Sequence, residues 1–226
     1  MTQAHASDAD DWTVISRNRA DIYAWFSALF ALELTDEGLA AYRQGQADAL
    51  LAALNGIGLE QETARLRAAL QLWPGFAQLR IELAADFARL FLIDARDAAA
   101  PYASTYLDRQ LYGEPHRQMQ AFLGSGGLRV HADFKEPADH LSVFLAFMED
   151  NIRKAADTDG KEREQAAELQ ANFLNEALLP WLPQFDARCQ ALRTQTASDF
   201  YPAVSSLLLA FVTMDAACLA TTDESA

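Results

Sequence analysis

The residues best suited to chemistry lie together at positions 134–141, in the sequence Phe-Lys-Glu-Pro-Ala-Asp-His-Leu. Asp139 and His140 are neighbours, and a carboxylate beside an imidazole can act as a general base. No nucleophile or oxyanion donor accompanies them in the sequence. Neighbouring residues of a helix also project about 100° apart, so the two side chains are not expected to face each other. The pair therefore favours a binding role over a catalytic one.

Other signatures of catalysis and metal binding are missing from the sequence. There is no Gly-x-Ser-x-Gly motif, and His5, His116, His131 and His140 lack the spacing of a zinc site. The glycine-rich run at 124–127 lacks the Lys-Ser/Thr pair and the preceding strand of a phosphate loop, so it is interpreted as a hinge. The sequence thus predicts no catalytic residues, no metal, no cofactor and no enzyme activity.

A helix is expected to position Asp139 and His140. Pro137 suits the first helical position, where its missing N–H has no partner to lose, and Asp139 suits the positive end of the helix dipole. An apolar face then recurs at helical spacing through Leu141, Phe144, Leu145, Met148 and Ile152. This predicts a buried helix over 137–156 with two polar residues at its rim, although helix capping alone would also explain Asp139.

The remaining apolar pattern also has the helical period, and no stretch alternates as a strand does. We therefore predict an all-α bundle of about ten helices, in one body or in two lobes. Residues 1–10 are predicted to be disordered, 11–123 to form an N-terminal helical group, 124–135 a flexible connector, and 136–226 a C-terminal group. A connector that straightens would allow a swapped homodimer. The predicted helices cover 11–32, 39–42, 47–54, 60–72, 76–92, 114–123, 137–156, 161–179, 181–192 and 199–219, with a loop at 94–100.

Composition limits the partners. The 32 acidic and 18 basic residues give a net charge of −14, which repels nucleic acid and anionic membranes and attracts a basic peptide, or simply keeps the chain soluble.

The N-terminus has no export signal, and no apolar run is expected to reach the ~18 residues of a membrane span, the longest being Ser205–Val212. Cys189 and Cys218 lack redox spacing, which indicates free thiols in a reducing compartment. Together these features predict a cytoplasmic protein.

Three segments combine apolar or aromatic groups with polar ones, as binding surfaces do: residues 87–91, 101–106 and 137–140. The first ends a predicted helix as Phe-Ala-Arg-Leu-Phe, and its apolar residues suit a core at least as well as a groove. The second, Pro-Tyr-Ala-Ser-Thr-Tyr, presents two tyrosines, which serve cores and binding grooves alike.

In this order, the three segments resemble the TorD family. The resemblance lies in aromatic-x-Arg-Leu-Phe, Pro-aromatic-x-Ser-x-aromatic and Glu-Pro-x-Asp-His-Leu, and the similarity extends from about Asp11 to Leu219. Members are all-helical cytoplasmic chaperones of molybdoenzymes exported by the twin-arginine route, and the matching segments line their signal-peptide groove. The resemblance therefore implies a peptide-binding set of Phe87, Leu90, Phe91, Pro101, Tyr102, Ser104, Tyr106, Glu136, Pro137, Asp139 and His140. Tyr102 stands where relatives often carry tryptophan, which leaves the sub-family and the client open.

The function that this resemblance implies is that of a chaperone for the apo form of a trimethylamine-N-oxide reductase-like enzyme. It would bind the signal peptide, assist molybdenum-cofactor insertion and delay export until insertion is complete. A twin-arginine signal is basic at one end and apolar in its middle, so apolar walls with acidic rim residues would complement it. Alternatives are a related client such as dimethyl sulfoxide reductase, a hydrolase or nucleotide-dependent enzyme using Asp139 and His140, and a plain helical scaffold.

Overall fold

A computed structural model describes residues 2–92, 98–192 and 199–221, and the side chains from Trp12 to Ala220 within these ranges. The described residues form eleven α-helices and no strand, which confirms the predicted all-α fold. The helices are α1 (Thr2–Ala31), α2 (Asp36–Arg43), α3 (Asp48–Gly56), α4 (Glu60–Leu72), α5 (Leu79–Phe87), α6 (Ala103–Leu107), α7 (Glu114–Ser125), α8 (Leu141–Ala155), α9 (Gly160–Phe173), α10 (Leu182–Ala191) and α11 (Phe200–Thr221).

Three shorter helical segments complete the described chain. A 3₁₀ turn at Trp73–Gly75 follows α4, and π-helical segments at Ala88–Leu92 and Leu174–Leu178 follow α5 and α9. The helix predicted over 76–92 is therefore α5 with its π-helical extension. Residues 94–97 of the predicted loop at 94–100 lie outside the described residues.

Several helix boundaries differ from the prediction. Helix α1 begins at Thr2 rather than near Asp11, and α7 continues to Ser125, so the first two residues of the predicted connector are helical. The helix predicted to start at Pro137 starts at Leu141. Within α1 the apolar residues face the core from Ile22 onward, whereas Ile15, one heptad earlier, is 54% exposed.

The chain divides into two compact units. Unit 1 comprises Met1–Ala28, Tyr102–Pro180 and Met214–Ala226, and unit 2 comprises Leu29–Pro101 and Trp181–Thr213. Both predicted helical groups contribute residues to both units. The division at a flexible connector over 124–135 stays a prediction.

Unit 1 has its apolar core around α8. The face predicted from helical spacing is buried: Leu141, Phe144, Leu145, Met148 and Ile152 are each at most 2% exposed. Fully burying such side chains stabilises a fold by about 1.5–3 kcal/mol each before the entropy of ordering is subtracted. The N-terminal helix joins this core through side chains, since the Trp12 indole N–H donates to the Ala155 carbonyl at 3.3 Å.

A buried polar network also stabilises unit 1. Arg19 makes a two-pronged contact with Asp215, at 2.6 Å from Nε to Oδ1 and 2.9 Å from Nη2 to Oδ2. The Tyr23 hydroxyl donates to Asp215 at 2.8 Å, and Arg19 also donates to Gln170 at 3.0 Å. Burial, and then the neighbouring carboxylate, raise the pKa of Tyr23 well above its ordinary value. These bonds join helices α1, α9 and α11. Removing either Arg19 or Asp215 would leave a buried charge without its partner, which destabilises a fold strongly.

Unit 2 has an aromatic core. The Phe91 ring lies 5.7 Å from that of Phe30, 5.1 Å from that of Phe87 and 5.5 Å from that of Tyr201, in each case edge-on. Such edge-to-face pairs add about 0.5–1.5 kcal/mol beyond the buried area. Unit 2 also contains a polar cluster, in which Arg65 of α4 donates to Asp199, just before α11, at 2.7 Å and to Ser206 of α11 at 3.1 Å.

Helix α11 corrects the prediction about membrane spans. Phe200–Ala220 has a mean hydropathy of 1.9, so by length and composition one helix among the described residues is apolar enough to cross a membrane. The predicted run Ser205–Val212 was shorter because it ended at the first polar residues that follow, Thr213 and Asp215, although the mean hydropathy of the longer stretch stays high when they are included. A core helix passes the same test, and 56% of this stretch is buried.

Candidate functional site

Two of the three predicted binding segments meet within unit 1. Tyr102 and His140 form an isolated antiparallel β-bridge, and the Ala103 N–H donates to the Asp139 carbonyl at 3.0 Å. The rings of Tyr102 and His140 also lie edge to face, with centroids 5.1 Å apart. The structure therefore brings together residues that are 38 positions apart in the sequence. We call this cluster of Tyr102, Ser104, Glu136, Asp139 and His140 the bridge site.

Asp139 is a structural acceptor at the centre of the bridge site. It is fully buried, and its Oδ2 accepts the Ser104 N–H at 3.0 Å, which satisfies a free donor in the first turn of α6. The sequence placed Asp139 in the first turn of the helix after Pro137. That placement was wrong, because a turn closed by the His140 N–H and the Pro137 carbonyl precedes α8, and Asp139 caps α6 instead.

The second Asp139 oxygen, Oδ1, has no hydrogen-bond partner among the described residues. It lies 3.6 Å from His116 Nδ1, a distance compatible with an ion pair. The same Nδ1, however, accepts the Ala138 N–H at 3.0 Å. A nitrogen that accepts this bond carries no proton, so we assign the His116 proton to Nε2 and conclude that no ion pair forms.

His140 is the N-terminal cap of α8. Its Nδ1 accepts the Ser142 N–H at 3.2 Å and lies 2.8 Å from the Ser142 hydroxyl. The side chain is buried against Tyr102 and Phe134. Burial lowers the pKa of His140 to about 4, against the opposite influence of Glu136 and Asp139. The imidazole is therefore neutral at pH 7, and its Nδ1 is occupied by the cap rather than free to act as a base.

The solvent-facing edge of the bridge site is formed by Tyr102 and Glu136. Both are half-buried, and the Tyr102 hydroxyl donates to Glu136 Oε2 at 2.5 Å. Burial, and then this carboxylate, raise the pKa of Tyr102, so the phenol stays a donor. Glu136 Oε1 has no hydrogen bond to any residue that the structure describes. Pro137 is half-buried beside it. This edge offers a negative oxygen, an aromatic ring and an apolar ring to an approaching group.

The remaining predicted residues of unit 1 lie in α6. Ser104, a member of the bridge site, is 2% exposed, and its N–H is bonded to Asp139. Tyr106 lies two residues further along α6 and is half-buried. Its membership in a peptide-binding set stays a prediction.

The predicted residues of unit 2 lie in its core. Phe87, Leu90 and Phe91 are at most 4% exposed, and Pro101 is buried as well. Arg89, between them, donates to the Leu192 carbonyl at 2.6 Å and to Asp86 at 3.3 Å, so it also has a structural role. A peptide would reach these side chains only if unit 2 opened. Their membership in a peptide-binding set stays a prediction.

An open cleft of about 640 Å³ adjoins the bridge site within unit 1. It lies between α7 and the connecting residues 128–138, and Glu136 and Pro137 belong to both the cleft and the bridge site. We call it the α7 cleft. Leu123, Leu128, Val130 and Phe134 provide apolar wall, and the polar lining includes Tyr112, His116, Arg129, His131, Lys135 and Glu136.

Sequence reasoning missed the residues on the α7 side of this cleft. Tyr112 has a left-handed backbone with φ 57°, and Asp108 holds the turn by accepting the Gln110 and Glu114 N–H groups at 3.0 and 2.9 Å. Gly113 is required here, because a Cβ would lie 2.6 Å from the Gln110 carbonyl oxygen. The Asp-x-x-x-x-Gly-Glu-Pro pattern before α7 was an available signal for a capped helix start.

Metal binding receives no support from this geometry. No group of three or more His, Cys, Asp or Glu residues within the described ranges could hold a metal ion. Cys189 is buried, and burial raises the pKa of its thiol to about 12, so it is not a thiolate at neutral pH.

Comparison with known proteins gives the family. The model of the family described as nitrate reductase delta subunit matches residues 53–187, more than half of the chain. The chaperone protein TorD of Psychrobacter sp. (strain PRwf-1) is 44% identical over 214 residues, which cover 92% of this chain and 95% of the relative. The chain belongs to the TorD family of chaperones. The resemblance inferred from the three motifs is thereby confirmed.

Further relatives agree over the same length. The TorD chaperone of Vibrio cholerae serotype O1 (El Tor Inaba N16961) is 36% identical over 91% of this chain and 94% of its own. That of Actinobacillus pleuropneumoniae serotype 7 is 34% identical over 89% of this chain and 96% of its own. TorD-family proteins are chaperones rather than enzymes, which confirms the prediction that this chain is not an enzyme. The family supports a dedicated chaperone of a molybdoenzyme.

Proposed function

We propose that the protein is a cytoplasmic chaperone for a trimethylamine-N-oxide reductase-like molybdoenzyme. It binds the twin-arginine signal peptide and the apo form of this client, assists insertion of the molybdenum cofactor, and holds back export until the cofactor is in place. Such proofreading needs no covalent step. It needs only tighter binding to the immature client than to the finished one.

The observation that carries this proposal is the edge formed by Tyr102, Glu136 and Pro137. Glu136 Oε2 is fixed by the Tyr102 hydroxyl, which leaves Oε1 to accept a bond from a guanidinium group. The adjoining rings of Tyr102 and Pro137 provide apolar contact for the residues that follow the arginines. The net charge of −14 draws a basic peptide toward the protein over a longer range.

Calorimetric titration of the client's signal peptide tests the proposal. We expect Glu136→Gln to weaken binding several-fold, because a neutral amide pairs less strongly with guanidinium than a carboxylate does. The matched control is Glu114→Gln, an exposed acid of the same unit whose side chain is 74% exposed and bonded to Arg117. A peptide with both arginines replaced by lysine should bind the wild type more weakly, since the compact ammonium group lacks the planar face with which guanidinium packs on an aromatic ring such as that of Tyr102.

The design avoids alanine at Asp139 and His140. Each caps a helix start, so their removal would mix loss of stability with loss of binding. Equal affinities of wild-type protein, Glu136→Gln and Glu114→Gln would remove Glu136 from the site. Failure of the wild-type protein to bind the signal peptide at all would contradict the proposed function.

A swapped homodimer formed through residues 124–135 is a further part of this proposal. Light scattering over a range of concentrations should then reveal a dimer that exchanges slowly with monomer. A monomer at every concentration would contradict it.

A further inference from the structure

The α7 cleft has a charge opposite to that of the whole protein. Its lining includes Arg129 and Lys135, and Glu136 is the one acidic residue among the described residues that line it. Glu136 lies where the cleft meets the bridge site, whereas Arg129 has no ion pair or hydrogen bond with any residue that the structure describes, and the Lys135 ammonium donates to a neutral acceptor, the Ala132 carbonyl. The cleft therefore has a surplus of positive charge within a chain of net charge −14.

The cleft walls suit an apolar side chain. Leu128, Val130 and Phe134 are each half-buried, so part of their apolar surface faces the open space. The volume of about 640 Å³ lies in the range of small-ligand pockets and would admit two or three side chains of a peptide. The connecting segment on this side is anchored at its start, where the Leu128 N–H bonds the Leu123 carbonyl at 2.8 Å.

The α7 side of the cleft is also held in place. The His116 Nδ1 bond to the Ala138 N–H joins α7 to the opposite wall, and Tyr112 packs edge-on against His116 at 5.0 Å. Tyr112 is 55% exposed and Leu111 beside it is 63% exposed, so an apolar ledge continues from the cleft onto the surface. A ledge of this kind, rimmed by charged residues, is typical of a polypeptide-binding surface.

We infer that the α7 cleft binds an acidic, apolar segment of a partner polypeptide, in which a carboxylate contacts Arg129 and Lys135 while a neighbouring aliphatic or aromatic side chain packs on Leu128, Val130 and Phe134. This segment is distinct from the basic signal peptide, whose arginines are proposed to contact Glu136 at the edge that the cleft shares with the bridge site. The assignment of this segment to the chaperone's client rests on the function proposed above. The specificity of the cleft for acidic and apolar residues is independent of that function.

Fluorescence anisotropy with designed peptides tests this inference on the full chain. The probe is a short labelled peptide of Glu, Leu and Phe, and two control peptides replace either every Glu by Lys or every Leu and Phe by Ser. We expect the wild-type protein to bind the probe and neither control. Binding should weaken as salt is raised, because exposed charges are screened.

Charge reversal identifies the residues. Arg129→Glu with Lys135→Glu should bind the probe about tenfold more weakly, since attraction becomes repulsion at two exposed positions. The control, Arg17→Glu with Lys161→Glu, makes the same change in net charge at exposed positions of the same unit outside the cleft, and should bind the probe as the wild type does. Arg129→Gln with Lys135→Gln provides a milder second variant, and circular dichroism checks that each remains helical.

Several results would overturn the inference. The first is that the wild type and both cleft variants bind the probe with equal affinity, and the second is that the wild type binds the Lys-substituted peptide as tightly as the probe. The third is that inorganic phosphate displaces the probe completely, and the fourth is that the probe is released when the protein associates with itself. Titrating the signal peptide on the same variants keeps the two proposals separate. If the protein binds the probe but not the signal peptide, the inference about the α7 cleft is supported and the proposed function is contradicted. If it binds the signal peptide but not the probe, the proposed function is supported and the inference about the cleft is contradicted.

Discussion

The segment at residues 87–91 and the bridge site have opposite environments, each within its own unit. Phe87, Leu90 and Phe91 are sealed among aromatic rings of unit 2, whereas Tyr102 and Glu136 in unit 1 present a polar, half-buried edge. Both belong to the set of motifs that resemble the TorD family. The comparison teaches that the residues of such a set can divide into those that build the fold and those available to a partner, and that burial and hydrogen bonding separate the two groups.

Truncation of Phe91 should give the largest effect. The ring is 2% exposed and contacts several aromatic neighbours, so Phe91→Ala should lower the free energy of unfolding by about 3–5 kcal/mol in urea denaturation. The matched control is Leu92→Ala, in the same π-helical segment but 57% exposed, which should change stability by less than about 0.5 kcal/mol. A Phe91→Ala protein of unchanged stability but weakened signal-peptide binding would reverse the comparison.

The pH dependence of stability should reveal the buried imidazole of His140. Its pKa is about 4 in the folded protein and ~6.5 in the unfolded chain, so between these values the unfolded state binds the extra proton. The stability contributed by the neutral imidazole is present above about pH 6.5 and is lost as the pH falls toward 4. From about pH 7 to about pH 4.5, this loss amounts to about 2–3 kcal/mol.

His140→Asn isolates this contribution. The Asn oxygen can accept the Ser142 N–H as Nδ1 does, so the cap is kept while the titrating group is removed. Urea denaturation across that pH range should show a steeper fall for the wild type than for the variant. Parallel profiles would mean that His140 is accessible enough to be protonated in the folded protein.

Two substitutions of Asp139 test its role as a cap. Asp139→Ala removes the acceptor of the Ser104 N–H and should cost about 1–3 kcal/mol of unfolding free energy. Asp139→Asn keeps an acceptor oxygen and replaces the unpaired Oδ1 position by an amide, so it should stay within about 1 kcal/mol of the wild type. Asp133→Ala, whose side chain is 91% exposed, is the control. If alanine at 139 left stability unchanged and abolished signal-peptide binding, Asp139 would be a contact residue instead.

The smallest effect is expected at the edge itself. Tyr102→Phe removes one hydrogen bond to Glu136 from a half-buried site and should cost about 0.5–1.5 kcal/mol by thermal or urea denaturation. Tyr112→Phe, at a tyrosine that is 55% exposed, should have almost no effect. A cost above that of Asp139→Ala would show that the edge, too, is primarily structural.

Helical periodicity predicted most of this architecture. The buried face of α8 agrees with the prediction because apolar spacing determines it, and the bounds of α4 agree because Pro74 and Gly75 end the helix locally. The start of α8 could not be predicted in this way, because Pro137 is compatible with two structures. One is the first turn of a helix, and the other is the tight turn that the His140 N–H closes. The sequence also could not indicate that Asp139 caps α6, since that bond joins residues 35 positions apart.

The division between core and edge was equally hidden from the sequence. An aromatic residue at helical spacing has the same pattern whether its ring meets other rings or a groove. His116 was set aside because its spacing fits no metal site, yet it joins α7 to the opposite wall of the cleft through a backbone N–H. A contact between a side chain and a distant main-chain group leaves no periodic trace.

The Arg19–Asp215 pair has a consequence for the order of assembly during translation. Arg19 and Asp215 are 196 positions apart in the sequence. Unit 2 includes residues up to Thr213, and unit 1 includes residues from Met214 onward. A ribosome adds residues in order, so the guanidinium has no carboxylate to pair with until Asp215 has been made. Unit 1 is therefore completed only after every residue of unit 2 has been synthesised.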